Sequence, residues 1–131
     1  MSEQQNVRTI QDIYSAFGRG DVQAITDKLL DDVKWTTHLP AEVPWSGDYS
    51  TRARVPAFFE AVYSSVKVNS FEPLEFLAQD DMVVSIGTFG CTSNQTGKSA
   101  NTRWVFVWRF RGEKVSSYEQ FHDLKIADAF R

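Results

Sequence analysis

The chain is expected to fold as a single α+β domain, with three helices packed on one face of a mainly antiparallel sheet. Apolar residues recur at helical spacing in three segments of its first half. From about residue 70 onward the pattern changes to two-residue alternation, in four runs separated by short polar or glycine-bearing turns. The length of 131 residues suits one domain rather than two, so residues 1–131 are taken as one unit.

The first helix is placed at 3–17, where Val7, Ile10, Ile13, Tyr14 and Phe17 form one apolar stripe. "GRGD" ends it, through a glycine able to take the left-handed conformation. Asp21 then serves as N-cap of a second short helix carrying Val22, Ile25 and Leu29 on one side. In "VKWTTHL", Val33, Trp35, Thr37 and Leu39 alternate with Lys34, Thr36 and His38, which predicts a strand. "PAEVPWSGDYS" is a loop or a pair of turns. A third helix lies within 52–66, with Pro56 in its first turn and Val55, Phe58, Phe59 and Val62 inward. The remaining strands are "SFEPLEFLAQ", "MVVSIGTFGCTS", "NTRWVFVWRF" and "KVSSYEQFHDL", followed by a short final helix in "KIADAF".

Composition narrows the function classes. Ten Phe, four Tyr and four Trp are enough to fill a core and still line a cavity. The net charge of −3 comes without a basic run, so no nucleic-acid partner is expected. No apolar run approaches the ~20 residues of a membrane helix, and "MSEQQNVRTI" lacks the apolar core of a signal peptide. A cytoplasmic location is the expectation. The lone Cys91 has no internal disulfide partner and reads as a small buried hydrophobe.

"GRGDVQAITDKLLDDVKW" after the first helix and "YEQFHDLKIADAF" at the end resemble the SnoaL-like polyketide cyclase family, within the nuclear transport factor 2-like superfamily. "PWSGDYS", "VVSIGTF", "TGKSANTRW" and the "RGEKV" turn extend the likeness over nearly the whole chain. The resemblance implies a curved sheet wrapped by helices into a cone that holds a small hydrophobic ligand. It also implies an acid/base role for Asp123 in "FHDL". The epoxide hydrolases of the superfamily place an arginine and a second aspartate on the mid-sheet strand, where "VVSIGTF" has no charge. The position matching the base of ketosteroid isomerases falls near Thr37, which cannot serve as one.

In a strand, Glu119, Phe121 and Asp123 share one face, and the concave face is the expectation for all three. Tyr118, Gln120 and His122 would then lie on the outer face. A carboxylate at the mouth of an aromatic cavity suits proton transfer beside a carbonyl. Asp123 reads equally as the cap of the final helix, and Glu119 as a cross-strand ion-pair partner. His38 faces away from Trp35 and Thr37, unless Pro40 bends the strand and re-aims it as a proton donor. Trp35, Thr37, Trp104 and Phe106 are expected as walls, Tyr14 and Phe59 as contacts from the covering helices, and Trp45 as part of a lid. No metal-ligand spacing is present, so neither metal nor cofactor is expected.

The function expected is therefore acid/base cyclisation or isomerisation of a small hydrophobic carbonyl compound, by a homodimer paired through its outer sheet face. The alternative is a non-catalytic ligand-binding or assembly module of the same fold.

Overall fold

The computed structural model describes residues 2–131. Helix α1 spans Glu3–Arg19, α2 Val22–Thr26 and α3 Val55–Ser65. The strands are β1 (Leu29–His38), β2 (Gly47–Asp48), β3 (Val66–Gln79), β4 (Met82–Ser93), β5 (Ser99–Arg111) and β6 (Lys114–His122). A 3-10 helix, Leu124–Phe130, ends the chain. No helix among the described residues is long and apolar enough to cross a membrane.

Helix α1 begins with a capping box: Ser2 accepts from the Gln5 backbone and the Gln5 side chain returns to Ser2. It stops at Gly20, whose φ of 70° few other residues adopt without strain. Between these ends, Ile10, Ile13 and Tyr14 are buried against β3 and β4. Burying each aliphatic side chain contributes about 1.5–3 kcal/mol. Asp21 caps α2 through the Ala24 N–H at 3.1 Å, and Pro56 lies in the first turn of α3.

The six strands form one sheet in the order β2-β1-β6-β5-β4-β3. From β3 to β6 it is the expected antiparallel meander. Strand β1, however, joins it parallel to β6, with Trp35 opposite Tyr118 and Thr37 opposite Gln120. The sheet is therefore mixed. Strand β3 starts directly after α3, because Val66–Val68 pair with Cys91–Ser93. Cys91 is fully buried, and burial pushes its thiol up to about 11.

Register fixes which side chains share the inner face. Tyr118, Trp108 and Val83 form one row, Gln120, Phe106 and Ser85 the next, and His122, Trp104 and Gly87 the third. Irregularities at Val68/Ser70 and Pro73/Glu75 in β3 and at Arg109/Phe110 beside β6 bend the sheet over these rows.

Gly87 is required by packing. A Cβ there would lie 2.3 Å from the Glu72 carbonyl oxygen and 2.3 Å from the Trp104 ring. Neither backbone nor buried indole can yield cheaply. Gly87→Ala is expected to lower unfolding free energy by about 2 kcal/mol or more in urea titrations.

Candidate functional site

Helices α1 and α3, the loop after β1 and the inner rows of the sheet enclose an aromatic cavity with an unfilled volume of about 50 Å³. Its walls include Tyr14, Trp35, Phe59, Phe106, Trp108 and Tyr118. Space of that size holds a few waters rather than a ring. A larger depression of about 490 Å³ beside Thr26, Asp31 and Arg52 has no aromatic wall, and its Asp31–Arg52 charges already pair with each other.

Few polar atoms reach the cavity. The Tyr14 hydroxyl accepts from Trp108 Nε1 at 2.9 Å and shares a hydrogen bond with Ser85. Gln120 takes the indole N–H of Trp45 on its Oε1 at 3.2 Å and donates from Nε2 to the Tyr118 hydroxyl. Thr37, from behind this wall, donates to the Trp45 carbonyl at 2.8 Å and so anchors the loop. His122 rests against Phe89 and stacks at 11° on Phe106. Its Nδ1 is buried without a hydrogen-bond partner.

Burial sets the charge state of each group. Desolvation pushes the Tyr14 and Tyr118 phenols well above their ordinary range, outweighing the hydrogen bonds from Trp108 and Gln120. Both stay neutral and able to donate. Desolvation lowers His122 to about 4, against the opposing charge of neighbouring Asp123. At neutral pH the imidazole is uncharged. Among the described residues no carboxylate lines the cavity.

The facing expected for β6 is reversed. Tyr118, Gln120 and His122 point inward, while Glu119 and Phe121 lie on the outer face. The cause is one extra residue, Ser116: Val115 pairs with Phe110 but Ser117 with Arg109. A bulge of this kind shifts the alternation by one and turns every later side chain over.

On the outer face His38 stacks on Phe121 at 4.6 Å and meets Glu119 at 2.9 Å, so neither His38 nor Glu119 touches the cavity. Pro40 does not re-aim the histidine. Asp123 is exposed and caps the 3-10 helix, accepting from the Lys125 N–H at 3.0 Å. Trp104 faces inward but packs behind Phe106, 4.0 Å away, instead of forming wall surface. Thr37 is likewise one layer back, whereas Tyr14, Trp35, Trp45, Phe59 and Phe106 do line the space. Gln120 and His122 escape sequence inspection because a polar residue on a terminal strand looks like a surface one. Among the described residues no three His, Cys, Asp or Glu side chains converge as metal ligands.

The sequence profile of the SnoaL-like domain matches residues 10–118. No curated protein matches the chain in sequence. Among solved structures, an NTF2-like protein from Burkholderia xenovorans LB400 is 31% identical with a TM-score of 0.90, the match covering 100% of this chain and 99% of that one. An NTF2-like protein of unknown function from Burkholderia pseudomallei K96243 is 28% identical with a TM-score of 0.84, covering 99% and 98%. TerC, co-crystallised with polyporic acid, is 25% identical with a TM-score of 0.83, covering 96% and 97%.

The buried imidazole should make stability depend on pH. Its pKa falls from 6.5 to about 4 on folding, so between these values the unfolded chain binds more protons. Stability is then full above about pH 6.5 and declines as pH drops toward 4, by about 3 kcal/mol. His122→Gln should remove that part of the decline, measured as the wild-type-minus-variant difference in urea unfolding at pH 4.5 and pH 7.

Proposed function

Because the chain belongs to the SnoaL-like domain family, we propose that its cavity binds a small, uncharged, ring-bearing carbonyl compound and that His122 exchanges a proton with it, without a cofactor. The observation that carries the proposal is His122 Nδ1, buried and unpartnered in an aromatic wall. Aromatic walls favour a flat, uncharged ligand. A neutral imidazole accepts a proton, but one titrating at about 4 is a weak base. It therefore suits an acidic proton, such as a C–H between a ring and a carbonyl, or a hydroxyl. Removal of such a proton opens both cyclisation and double-bond migration, and the neutral Tyr14 and Tyr118 hydroxyls are at hand for the oxygen. TerC's co-crystal with polyporic acid supports an organic ligand for this chain as well.

Ligand entry requires the cavity to widen, and Trp45 is the wall element on an irregular loop, flanked by Pro40 and Pro44. Its outward swing would open the mouth, and its return onto Gln120 would close the site over a ligand that the neighbouring rings have spread to admit. Passive binding is the second reading, favoured by the lack of a carboxylate in the wall. Deuterium wash-in at the benzylic carbon of 2-tetralone in D2O separates the two. The wild type should exchange at least about tenfold faster than buffer, a modest factor for one positioned base. The rate should be flat above about pH 5 and fall toward pH 4, where His122 protonates. His122→Gln should return it to the buffer rate. Binding of 2-tetralone with no acceleration would establish the passive reading.

Pairing of two copies through the outer sheet face belongs to the same proposal. Val84, Ile86, Val105 and Val107 form an apolar band there, with Leu77 63% and Phe121 41% exposed beside it. Sedimentation at micromolar concentration should give a dimer for the wild type and a monomer for Phe121→Asp. A monomeric wild type would remove this part.

A further inference from the structure

The hydrogen bonds around Gln120 have a direction that chemistry alone fixes. An indole N–H only donates, so the atom of Gln120 facing Trp45 must be its carbonyl oxygen. The amide nitrogen then faces the Tyr118 hydroxyl and donates to it. The phenol oxygen is thereby engaged as an acceptor, and among the described residues no acceptor meets its proton. Tyr118 lies in the cavity wall and its phenol is neutral, so that proton is left for whatever occupies the space.

Two features hold this polarity in place. Trp45 is pinned at both ends, its carbonyl by Thr37 and its ring by Gln120, Phe89 and Phe130. Gln120 is 4% exposed, so water does not compete for its amide. With Trp45 docked, the amide cannot turn over without setting its own N–H2 against the indole N–H, which has no way to accept.

We propose that Trp45 and Gln120 are positioning residues that make the Tyr118 hydroxyl an obligate donor into the cavity, so that the ligand must present an acceptor oxygen there. This rests on the proposal that the cavity binds a small ring compound, and it adds a selection rule. An aromatic ketone, aldehyde or quinone-type oxygen fits; a hydrocarbon of the same shape leaves a buried donor unpaired, and a ligand offering only a donor meets another donor. Sites built to hydrogen-bond a ligand oxygen reject analogues that lack it far more strongly than apolar pockets reject a missing methylene.

Acetophenone and ethylbenzene test the rule, because they differ only in replacing C=O by CH2. NMR titration of the wild type should show acetophenone binding at least about tenfold tighter, although the hydrocarbon is the more apolar of the two. Tyr118→Phe should abolish or invert that ratio. Trp45→Phe removes the indole N–H while keeping a ring, and should reduce the ratio by releasing the amide. It should also move the carbonyl stretch of bound acetophenone toward its frequency in a hydrocarbon solvent. A merely structural role for Trp45 would weaken both probes together and leave that band in place, which would overturn the inference. Equal binding of both probes to wild type and variants would overturn it too, leaving the ring-binding cavity intact. If neither probe binds the wild type, the cavity proposal itself fails and the selection rule with it.

Discussion

The parallel ladder between β1 and β6 is the constraint from which the cavity follows. Its hydrogen bonds place Trp35 beside Tyr118 and Thr37 beside Gln120, so an aromatic pair and a polar pair enter the interior together. Directly opposed residues in a ladder share a face, so neither strand can slip by one position without turning its whole set outward. A slip in β6 would bring Glu119 into the aromatic interior, where an unpaired carboxylate costs several kcal/mol. It would also expel Tyr118 and Gln120, and with them the anchor for the loop that carries Trp45. Backbone pairing, wall chemistry and loop position are thus one specification.

What this interior offers a ligand is polarity without charge. Two phenols, one amide and one imidazole stand among tryptophan and phenylalanine rings; the amide carries no charge, and burial holds the phenols and the imidazole neutral near pH 7. In such a medium a single hydrogen bond counts for more than it would in water, and an unmatched donor is correspondingly expensive. Discrimination can therefore rest on where one oxygen lies, with shape left to the rings. Charged groups on the neighbouring elements are committed elsewhere. Glu119 is paired with His38 on the outer face, Asp123 is committed to a helix cap, and Arg131 to Glu42 at 2.8 Å.

Helix stripes, caps and the meander were legible because each is a local rule. Ile10, Ile13 and Tyr14 sit where period 3.6 puts them, and β4 runs Met82–Ser93 as its alternation and flanking turns indicate. The partnership of β1 with β6 was not legible, since it joins segments some eighty residues apart and leaves no local trace. Nor was the bulge at Ser116, in a stretch, "VSSYEQF", where two serines give no hint of which one is extra. That single inserted residue separates a site built on Asp123 and Glu119 from one built on His122 and Gln120. The family likeness supplied the curved α+β fold, yet the acid it pointed to is spent on a helix cap.

The four tryptophans have an optical consequence. All are 2% exposed or less, so their emission belongs at the blue end of the indole range and their near-ultraviolet dichroism should be intense. Trp35 and Trp108 lie 5.7 Å apart and nearly perpendicular, close enough to exchange excitation, and both border the cavity along with Trp45. Trp104 stands behind them, stacked on Phe71 at 5.1 Å and seated over Gly87. The molecule thus contains three chromophores that border the cavity and would respond to any occupant, and a fourth that reports on the scaffold. No label has to be attached to tell filling of the cavity from loosening of the sheet.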